Sequence, residues 1–213
     1  MSSELFARIV HARCTEKVLA EEPLPASGKS LANEILELAA WAPFHRPAND
    51  VHLQDSELKA LMPWRFYVLD DSACRQLREE LMEKDSSNVM RMLATADCMV
   101  QVTWLPNPPQ TELPEKILFE ASLENMEHLA AASAAVQNLL LAATANGIRN
   151  YWSSGGVLRS PEVFDRLGIP TQEILLGSLF FSPQDVQSGT IATSKLRDKR
   201  GPLTGWVKRV HLS

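Results

Sequence analysis

The spacing of apolar positions predicts where this chain forms helices. Apolar residues recur every three or four positions over residues 5–13, again after Ser30, which can cap a second helix, and over residues 115–146, with a candidate break near Ser122. The second half of the last segment contains eight alanines between residues 130 and 145. A helix that is apolar on most of its circumference is buried on most sides, and small residues permit close approach of another helix. We therefore expect this helix to form the centre of the core and part of a dimer interface.

Strands are predicted where β-branched and aromatic residues cluster in short runs. These runs cover residues 64–69, 97–105, 148–152 and 173–182. Residues 44–62 are mostly polar and are interrupted by residues that favour turns. They predict at most one helical turn, over residues 56–61. Because strands and helices do not alternate strictly, we expect one α+β domain over residues 1–213 and not a doubly wound sheet.

Composition and charge narrow the function classes. Apolar residues make up 45% and charged residues 22% of the chain, the balance of a globular protein with a substantial core. The net charge of −5 argues against nucleic acid as a partner, because proteins that bind it usually need a basic face. The sequence starts with polar and charged residues, and no stretch of about 18 apolar residues lacks charge. We therefore expect neither a signal peptide nor a membrane span.

The cysteines, histidines and short motifs give no sign of disulfide or metal chemistry. Cys14, Cys74 and Cys98 contain no C-x-x-C pair, and the five histidines show no metal-ligand spacing, so no metal is expected. Reduced thiols in a cytoplasmic protein are the ordinary interpretation of the cysteines, and a catalytic thiol is the alternative. The usual dinucleotide, P-loop, hydrolase and zinc-protease motifs are also missing from the sequence.

Three local features remain that can carry chemistry. Residues 13–17, Arg-Cys-Thr-Glu-Lys, join a guanidinium, a hydroxyl and an ammonium, which are groups that bind phosphate; the alternative is a solvated helix end whose cations face the helix dipole. The basic tail around Arg197, Lys199 and Arg200 can form a second phosphate clamp or be an exposed polar tail. Residues 152–156, Trp-Ser-Ser-Gly-Gly, can present backbone N–H groups to a flat ligand or form a simple turn.

Taken in order, these features resemble the nitroreductase family of flavin enzymes. The family's R-[RH]-S-x-[RK], A-x-x-A-P, Q-P-W-x-F, A-x-Q-N-L-x-L-A-A-x-x-x-G, W-x-S-G, L-G-[IL]-P and K-x-R-x-P patterns are similar to residues 13–17, 35–43, 62–66, 135–147, 152–155, 167–170 and 200–202. The resemblance extends from about residue 8 to about residue 203. Pro43-Phe44-His45 looks most like the small, single-domain branch that reads A-P-x-H.

The resemblance implies a fold, a quaternary structure and a cofactor site. The family has a central, mostly antiparallel sheet flanked by helices, and two chains form an intertwined homodimer with FMN in clefts at the interface. The residues placed at the FMN by their positions in the family motifs are Arg13, Cys14, Thr15, Lys17, Pro43, Phe44, His45, Trp152, Ser153, Ser154, Gly155 and Arg200.

The same resemblance implies a role for each group of these residues. Arg13, Thr15 and Lys17 would hold the phosphate, ribityl chain and pyrimidine edge, helped by Arg200. Residues 43–45 would reach the flavin of the partner subunit. Residues 152–155 would lie near the isoalloxazine ring, where a backbone N–H can form a hydrogen bond with N5.

The implied reaction is a ping-pong transfer of hydride. NADH or NADPH would reduce the flavin and leave, and an electron-poor small molecule, such as a nitroaromatic or a quinone, would then be reduced on the same face. The hydride chemistry belongs to the cofactor, so no catalytic side chain is assigned. The alternatives are a flavin-binding carrier or sensor without turnover, and a flavinless helical interaction protein on a related scaffold.

The sequence departs from the family pattern at two places. Cys14 stands where arginine, histidine or serine is usual, and Thr15 replaces serine but keeps the hydroxyl. About a dozen extra residues separate Pro43 from Pro63, and Met62 replaces the glutamine before Pro-Trp. This insertion carries charged residues that could make it a flap over the cleft or reshape access for the acceptor, namely Asp50, Asp55, Glu57 and Lys59.

Overall fold

A computed structural model describes residues 3–26, 28–54, 56–184 and 189–212. Asp55, one of the charged residues of the insertion, lies outside the described residues. The helices within the described part are α1 (Ser3–Ala12), α2 (Asn33–Glu37), α3 (Asp71–Leu81), α4 (Asn88–Leu93), α5 (Leu123–Ala145) and α6 (Pro161–Arg166). Short 3-10 helices cover Leu38–Trp41, Asp50–His52, Gly156–Arg159, Arg197–Lys199 and Leu203–Gly205.

The described strands form two antiparallel sheets. They are β1 (Glu16–Leu19), β2 (Trp64–Asp70), β3 (Cys98–Trp104), β4 (Arg149–Ser153), β5 (Ile174–Ser182) and β6 (Thr190–Thr193). The central sheet has the spatial order β2-β3-β5-β4, and β1 pairs with β6 in a separate two-stranded sheet. The expected antiparallel sheet flanked by helices is therefore confirmed.

The central sheet separates two apolar layers, because neighbouring side chains of a strand point to opposite faces. In β3, Val100 and Val102 belong to a core cluster with residues of α2 and α5. Met99, the residue before Val100, belongs to a second cluster with residues of α3 and α4. Every residue of β3 is buried, so this strand lies at the middle of the fold.

The alanine-rich helix α5 forms much of the first layer, which confirms its predicted place in the core. Ala132, Ala135 and Leu139 on this helix have no exposed surface. The predicted break near Ser122 is the true start of the helix, where the Ser122 Oγ accepts a hydrogen bond from the Asn125 N–H at 3.2 Å. By length and composition α5 could cross a membrane, but half of its most apolar window is buried inside the fold. The core helix of a soluble protein meets the same criterion.

Two predictions of helix starts are wrong. Ser30 does not cap α2, because that helix begins three residues later, and the Ser30 hydroxyl instead lies 3.9 Å from the Cys98 sulfur. Residues 115–122 are not helical, because the chain becomes regular only after the Ser122 cap.

The predicted helical turn over residues 56–61 is also wrong. The guanidinium of Arg65 donates hydrogen bonds to the carbonyls of Leu58 and Ala60 at 3.0 and 2.9 Å, and to those of Met62 and Trp64 at 2.8 Å. A side chain that binds these carbonyls holds the segment in an irregular conformation. Arg65 is only 4% exposed, so the insertion is tied to the sheet by a buried residue.

Candidate functional site

The first candidate site forms where the end of α1 meets the C-terminal part of the chain. After Ala12 the chain does not continue as a solvated helix end but turns into β1, which pairs with β6. The Ser194 N–H donates to the Thr15 carbonyl at 3.2 Å, which extends this pairing. The resulting cavity has a volume of about 450 Å³ and is lined by Arg13, Cys14, Thr15, Thr193, Ser194, Leu196, Arg197, Asp198 and Arg200.

Three guanidinium groups gather at this cavity. Burial lowers the pKa of Arg13, the neighbouring Cys14 opposes this, and the positive charges of Arg200 and Arg197 lower the pKa further. Because a guanidinium remains protonated in proteins, the three positive charges outnumber the carboxylate of Asp198 in the lining, and a bound anion would reduce their mutual repulsion. The cavity is therefore positively charged, as a phosphate-binding site would be. It brings together residues of the two basic segments, 13–17 and the tail around Arg197 and Arg200, that the sequence analysis treated as separate phosphate-binding candidates.

Arg197 also fixes the geometry of this cavity. Its Nη1 donates to the Arg13 carbonyl at 3.2 Å, and its Nη2 donates to the His11 carbonyl. These bonds tie the tail to the carbonyl end of α1. The sequence placed Arg197 only within a basic tail, since no local pattern indicates a bond to a carbonyl about 185 positions away.

Cys14 lines the cavity but has the properties of a neutral thiol. Burial raises its pKa, and the neighbouring Glu16 raises it further, against the smaller opposing effects of Arg197 and Arg13. Since the thiolate is the reactive form, this environment gives no support to the catalytic-thiol alternative.

Lys17 does not line the cavity and instead contacts the central sheet. Its Nζ lies 4.8 Å from the centre of the Tyr151 ring. On the neighbouring position of β1, Glu16 forms an ion pair with Arg149 at 2.9 Å. Both partners are on β4, so β1 runs beside β4 and the phosphate-type cavity lies near the strand that leads into residues 152–156.

Residues 152–156 form a tight loop with an unusual backbone. Gly155 and Gly156 adopt φ angles of 103° and 57°, a region that favours glycine. A Cβ atom on Gly155 would lie 2.7 Å from the Leu175 Cδ2 methyl group, so a larger residue would have to displace that side chain as well as adopt an unfavourable φ. The Gly155 N–H donates to the Ser153 hydroxyl at 3.2 Å.

The Arg159 side chain holds this loop in place through hydrogen bonds to backbone carbonyls. Its guanidinium donates to the Ser154 carbonyl and, at 2.7 Å, to the Leu175 carbonyl on β5. The Trp152 side chain is partly exposed, and its indole lies against Gly177 of β5, where any larger residue would collide with it. The loop is therefore a rigid, partly exposed surface and not a loose turn. No local sequence pattern indicates this role of Arg159.

Residues 43–45 lie apart from these groups within one chain. The Phe44 ring contacts Trp64 edge-on, with ring centres 5.9 Å apart. Trp64 begins β2, which is the opposite edge of the central sheet from β4. Pro43, Phe44 and His45 accordingly do not line the cavity at Arg13.

The insertion after these residues packs on the segment that follows β3. His52 is buried, and its Nε2 lies 2.7 Å from the Pro106 carbonyl. Burial lowers the pKa of His52, and the hydrogen bond with Pro106 opposes that effect. The insertion is thus a packed part of the described structure, held by His52 on one side and by Arg65 on the other.

Comparison with known proteins identifies relatives of the chain. The family model described as "Nitroreductase family" matches residues 13–181. None of the curated proteins matches the chain.

Solved structures share the fold at low sequence identity. A nitroreductase-like family protein from Bacillus cereus is 20% identical, with a TM-score of 0.55 and coverage of 95% of this chain and 97% of that one. A nitroreductase with bound FMN from Bacteroides fragilis is 18% identical, with a TM-score of 0.54 and coverage of 99% and 100%. The nitroreductase CinD from Lactococcus lactis, in complex with nicotinic acid, is 15% identical, with a TM-score of 0.56 and coverage of 91% and 97%. At these identities the likeness concerns the fold.

Proposed function

Since the chain belongs to the nitroreductase family, we propose that it is an FMN-dependent oxidoreductase that takes hydride from NADH or NADPH and passes it to an electron-poor acceptor. The observation that carries this proposal is the cavity where Arg13, Arg197 and Arg200 converge beside Thr15. The bound FMN named for the Bacteroides fragilis relative supports the choice of cofactor.

The residues of the cavity fit the phosphate of FMN. A phosphate dianion would relieve the repulsion among the three guanidinium groups, and guanidinium forks can donate two hydrogen bonds to it. The Thr15 hydroxyl adds a neutral donor on the same wall. A volume of about 450 Å³ leaves room for the phosphate and part of the ribityl chain.

The rigid loop at residues 152–156 would orient the flat part of the cofactor. Arg159 fixes the Ser154 carbonyl and the glycines fix the backbone, so the loop N–H groups that are not already bonded within the loop need no rearrangement when they meet a ligand. Such preorganisation is what makes electrostatic stabilisation effective. Lys17 on the neighbouring strand would supply positive charge beside the loop. When bound, FMN would supply the hydride chemistry itself.

The proposal includes a homodimer. Pro43, Phe44 and His45 lie on the far edge of the sheet from the cavity in their own chain, as expected if they serve the site of the partner subunit. Trp41, just before them, is 83% exposed. A large aromatic side chain in that state is typical of an interface. The free state of all three cysteines accords with the proposed cytoplasmic location.

The experiment that tests the proposal is an absorption spectrum of the purified protein, followed by analysis of the supernatant after denaturation. Flavin bands and about one FMN per chain are expected. The loaded protein is then mixed anaerobically with NADH or NADPH in a stopped-flow instrument, and rapid bleaching is expected. A protein that binds FMN but is not bleached by either donor would be a carrier or sensor. A colourless protein that takes up no added FMN would refute the proposal.

A further inference from the structure

A row of buried polar side chains crosses three strands of the central sheet. The strand register pairs Gln101 on β3 with Ser178 on β5, and Ser178 with Ser153 on β4. Paired residues of neighbouring strands face the same side of a sheet. Gln101 and Ser178 have no exposed surface, and Ser153 is 6% exposed. Met99, two positions before Gln101 on the same face, belongs to an apolar cluster, so this polar row lies beside an apolar layer.

The hydrogen-bond partners of the row are informative, because buried polar groups cost free energy unless they are bonded. Gln101 Nε2 donates to the Leu158 carbonyl at 3.1 Å, and Gln101 Oε1 accepts from the Ser178 hydroxyl. A carbonyl can only accept, so the amide nitrogen must face Leu158 and the amide oxygen must face Ser178. Ser178 therefore holds Gln101 in the orientation that binds Leu158, two residues after the loop at residues 152–156.

The same row reaches the loop at a second point. The Ser153 hydroxyl accepts from the Gly155 N–H at 3.2 Å, and the Ser178 Oγ would lie 3.5 Å from a Cβ atom on Gly155. The backbone from Gly155 to Leu158 is thus fixed at both ends by buried side chains of the sheet. The exposed Arg159 is a further contact of this loop. A buried contact constrains the backbone more strictly, because water cannot replace a hydrogen bond that is lost inside the fold.

We propose that Gln101 and Ser178 are positioning residues for the flavin. They fix the backbone of residues 155–158 and thereby hold the loop N–H groups that are not already bonded within the loop against N5 of bound FMN. Neither side chain has exposed surface with which to contact the cofactor, so both act through the loop. This inference rests on the proposed function.

The position of the loop should affect the two redox states of FMN unequally. N5 of oxidised flavin carries a lone pair that accepts a hydrogen bond, whereas N5 of reduced flavin carries a hydrogen and is a poor acceptor. A loop N–H held at N5 would therefore stabilise oxidised FMN more than reduced FMN, and hydrogen bonds to ring nitrogens are one means by which proteins tune a flavin. If the loop shifts, oxidised FMN loses more affinity, and the midpoint potential of the bound flavin rises.

The test is the variant Gln101→Met, which keeps the length of the side chain but removes both of its hydrogen bonds. The Kd for oxidised FMN is measured by flavin fluorescence titration, and the midpoint potential by anaerobic reduction against a reference dye. We expect the Kd for oxidised FMN to rise at least roughly tenfold more than the Kd for reduced FMN, which raises the two-electron midpoint potential by about 30 mV. A purely structural role would weaken both states alike and leave the potential unchanged.

A double-variant cycle tests whether Ser178 acts through Gln101. Ser178→Ala alone should raise the midpoint potential, by less than Gln101→Met does, because Gln101 keeps its bond to Leu158. In the Gln101→Met background the same substitution should add nothing further. Additive shifts would overturn the assignment of Ser178 to this chain of contacts.

The matched control is Thr103→Val, which removes a hydroxyl two positions after Gln101 on the same strand. Thr103 also has no exposed surface, but its hydroxyl donates to Glu173 and not to the loop. This variant should keep the wild-type midpoint potential even where urea unfolding shows a loss of stability. An equal rise of the potential in Thr103→Val would overturn the proposal.

Failure of this inference can be distinguished from failure of the proposed function. A wild-type chain that takes up no FMN would overturn the proposed function and this inference with it. Normal FMN uptake with an unchanged midpoint potential in a folded Gln101→Met protein would overturn this inference alone. If that variant does not fold, an unchanged potential in Ser178→Ala would overturn it.

Discussion

Arg13, Arg197 and Arg200 come together although each would be better solvated apart. A cluster of like charges costs folding free energy, so its presence is best explained by an anionic ligand. Each charge-assisted hydrogen bond to phosphate contributes about 1.5–3 kcal/mol. We therefore expect Arg13→Ala combined with Arg200→Ala to raise the Kd for FMN by roughly a hundredfold or more, measured by flavin fluorescence titration.

A matched control for that pair is Arg209→Ala, which removes one positive charge from an exposed position of the same tail. It should leave the Kd for FMN within about twofold, since exposed charges contribute little. If the double variant kept the wild-type affinity, the phosphate would have to bind elsewhere.

Glu173 allows a prediction on stability at the scale of one residue. It is 7% exposed, and its carboxylate accepts hydrogen bonds from the hydroxyls of Tyr67, at 2.9 Å, and Thr103. Burial raises its pKa above the ordinary 4.5, against the opposing effects of Thr103, Tyr67 and Arg65. A raised pKa means that the folded chain holds this proton more tightly than the unfolded chain. The free energy of unfolding contributed by Glu173 therefore falls as pH rises from 4.5 through the folded pKa.

The neutral variant Glu173→Gln tests this sign. Relative to the wild type its free energy of unfolding should rise between pH 4.5 and pH 7, by about 1.4 kcal/mol for each pH unit by which the folded pKa of Glu173 exceeds the ordinary value. Urea unfolding at several pH values measures the difference. Glu83→Gln, at an exposed position, should show no such trend. A constant difference between the Glu173 variant and the wild type would mean that burial does not control this carboxyl.

Part of the candidate site could be predicted from the sequence because several of its residues are adjacent in the chain. Arg13, Cys14 and Thr15 line one cavity together with Arg200, as the family motif implied. Arg197 and Arg159 act through backbone carbonyls, which every residue has, and so leave no pattern to find. Lys17 of the same motif does not line that cavity. The roles toward FMN of all these residues, and of residues 43–45 and 152–155, stay predictions.

At the scale of elements, the strands and helices with the longest sequence patterns were the ones predicted correctly. The strands β2, β3 and β5 and the helix α5 each carry seven or more residues of consistent pattern and were predicted. β1 and β6 have four residues each and were missed. Each is a strand only because it pairs with the other, more than 170 positions away in the register Glu16 to Thr193. Contacts of that separation are not encoded in local patterning.

The insertion offers the clearest element-scale experiment, because one buried guanidinium binds three of its carbonyls, those of Leu58, Ala60 and Met62. Arg65→Lys keeps the charge but loses the planar fork and most of these donors. Amide hydrogen exchange over residues 56–62 should accelerate at least tenfold, while exchange in α5 stays unchanged. The conservative control is Arg166→Lys, at an exposed ion pair with Glu80. Equal exchange in wild type and Arg65→Lys would show that packing alone holds the insertion.

At the scale of the whole molecule, apolar surface remains that one chain does not cover. Leu38 and Trp41 on a 3-10 helix are exposed, as are Leu123 and Met126 on α5. This 3-10 helix packs against α5. Large apolar side chains left exposed in this way are candidates for an interaction surface. This exposed apolar surface lies beside residues 43–45. Those residues do not line the cavity at Arg13 of their own chain.

We therefore predict that a substitution that prevents dimer formation also weakens FMN binding. Trp41→Glu places a charge at the centre of the proposed interface, where burial of an unpaired carboxylate is strongly unfavourable. Light scattering should give about twice the chain mass of 23.7 kDa for the wild type and the single-chain mass for the variant. FMN affinity should fall in parallel, because residues 43–45 of the partner subunit would no longer reach the cofactor. Gln76→Glu adds the same charge at an exposed position of α3 and should change neither property. A monomeric variant that kept full FMN affinity would show that each chain builds its flavin site alone.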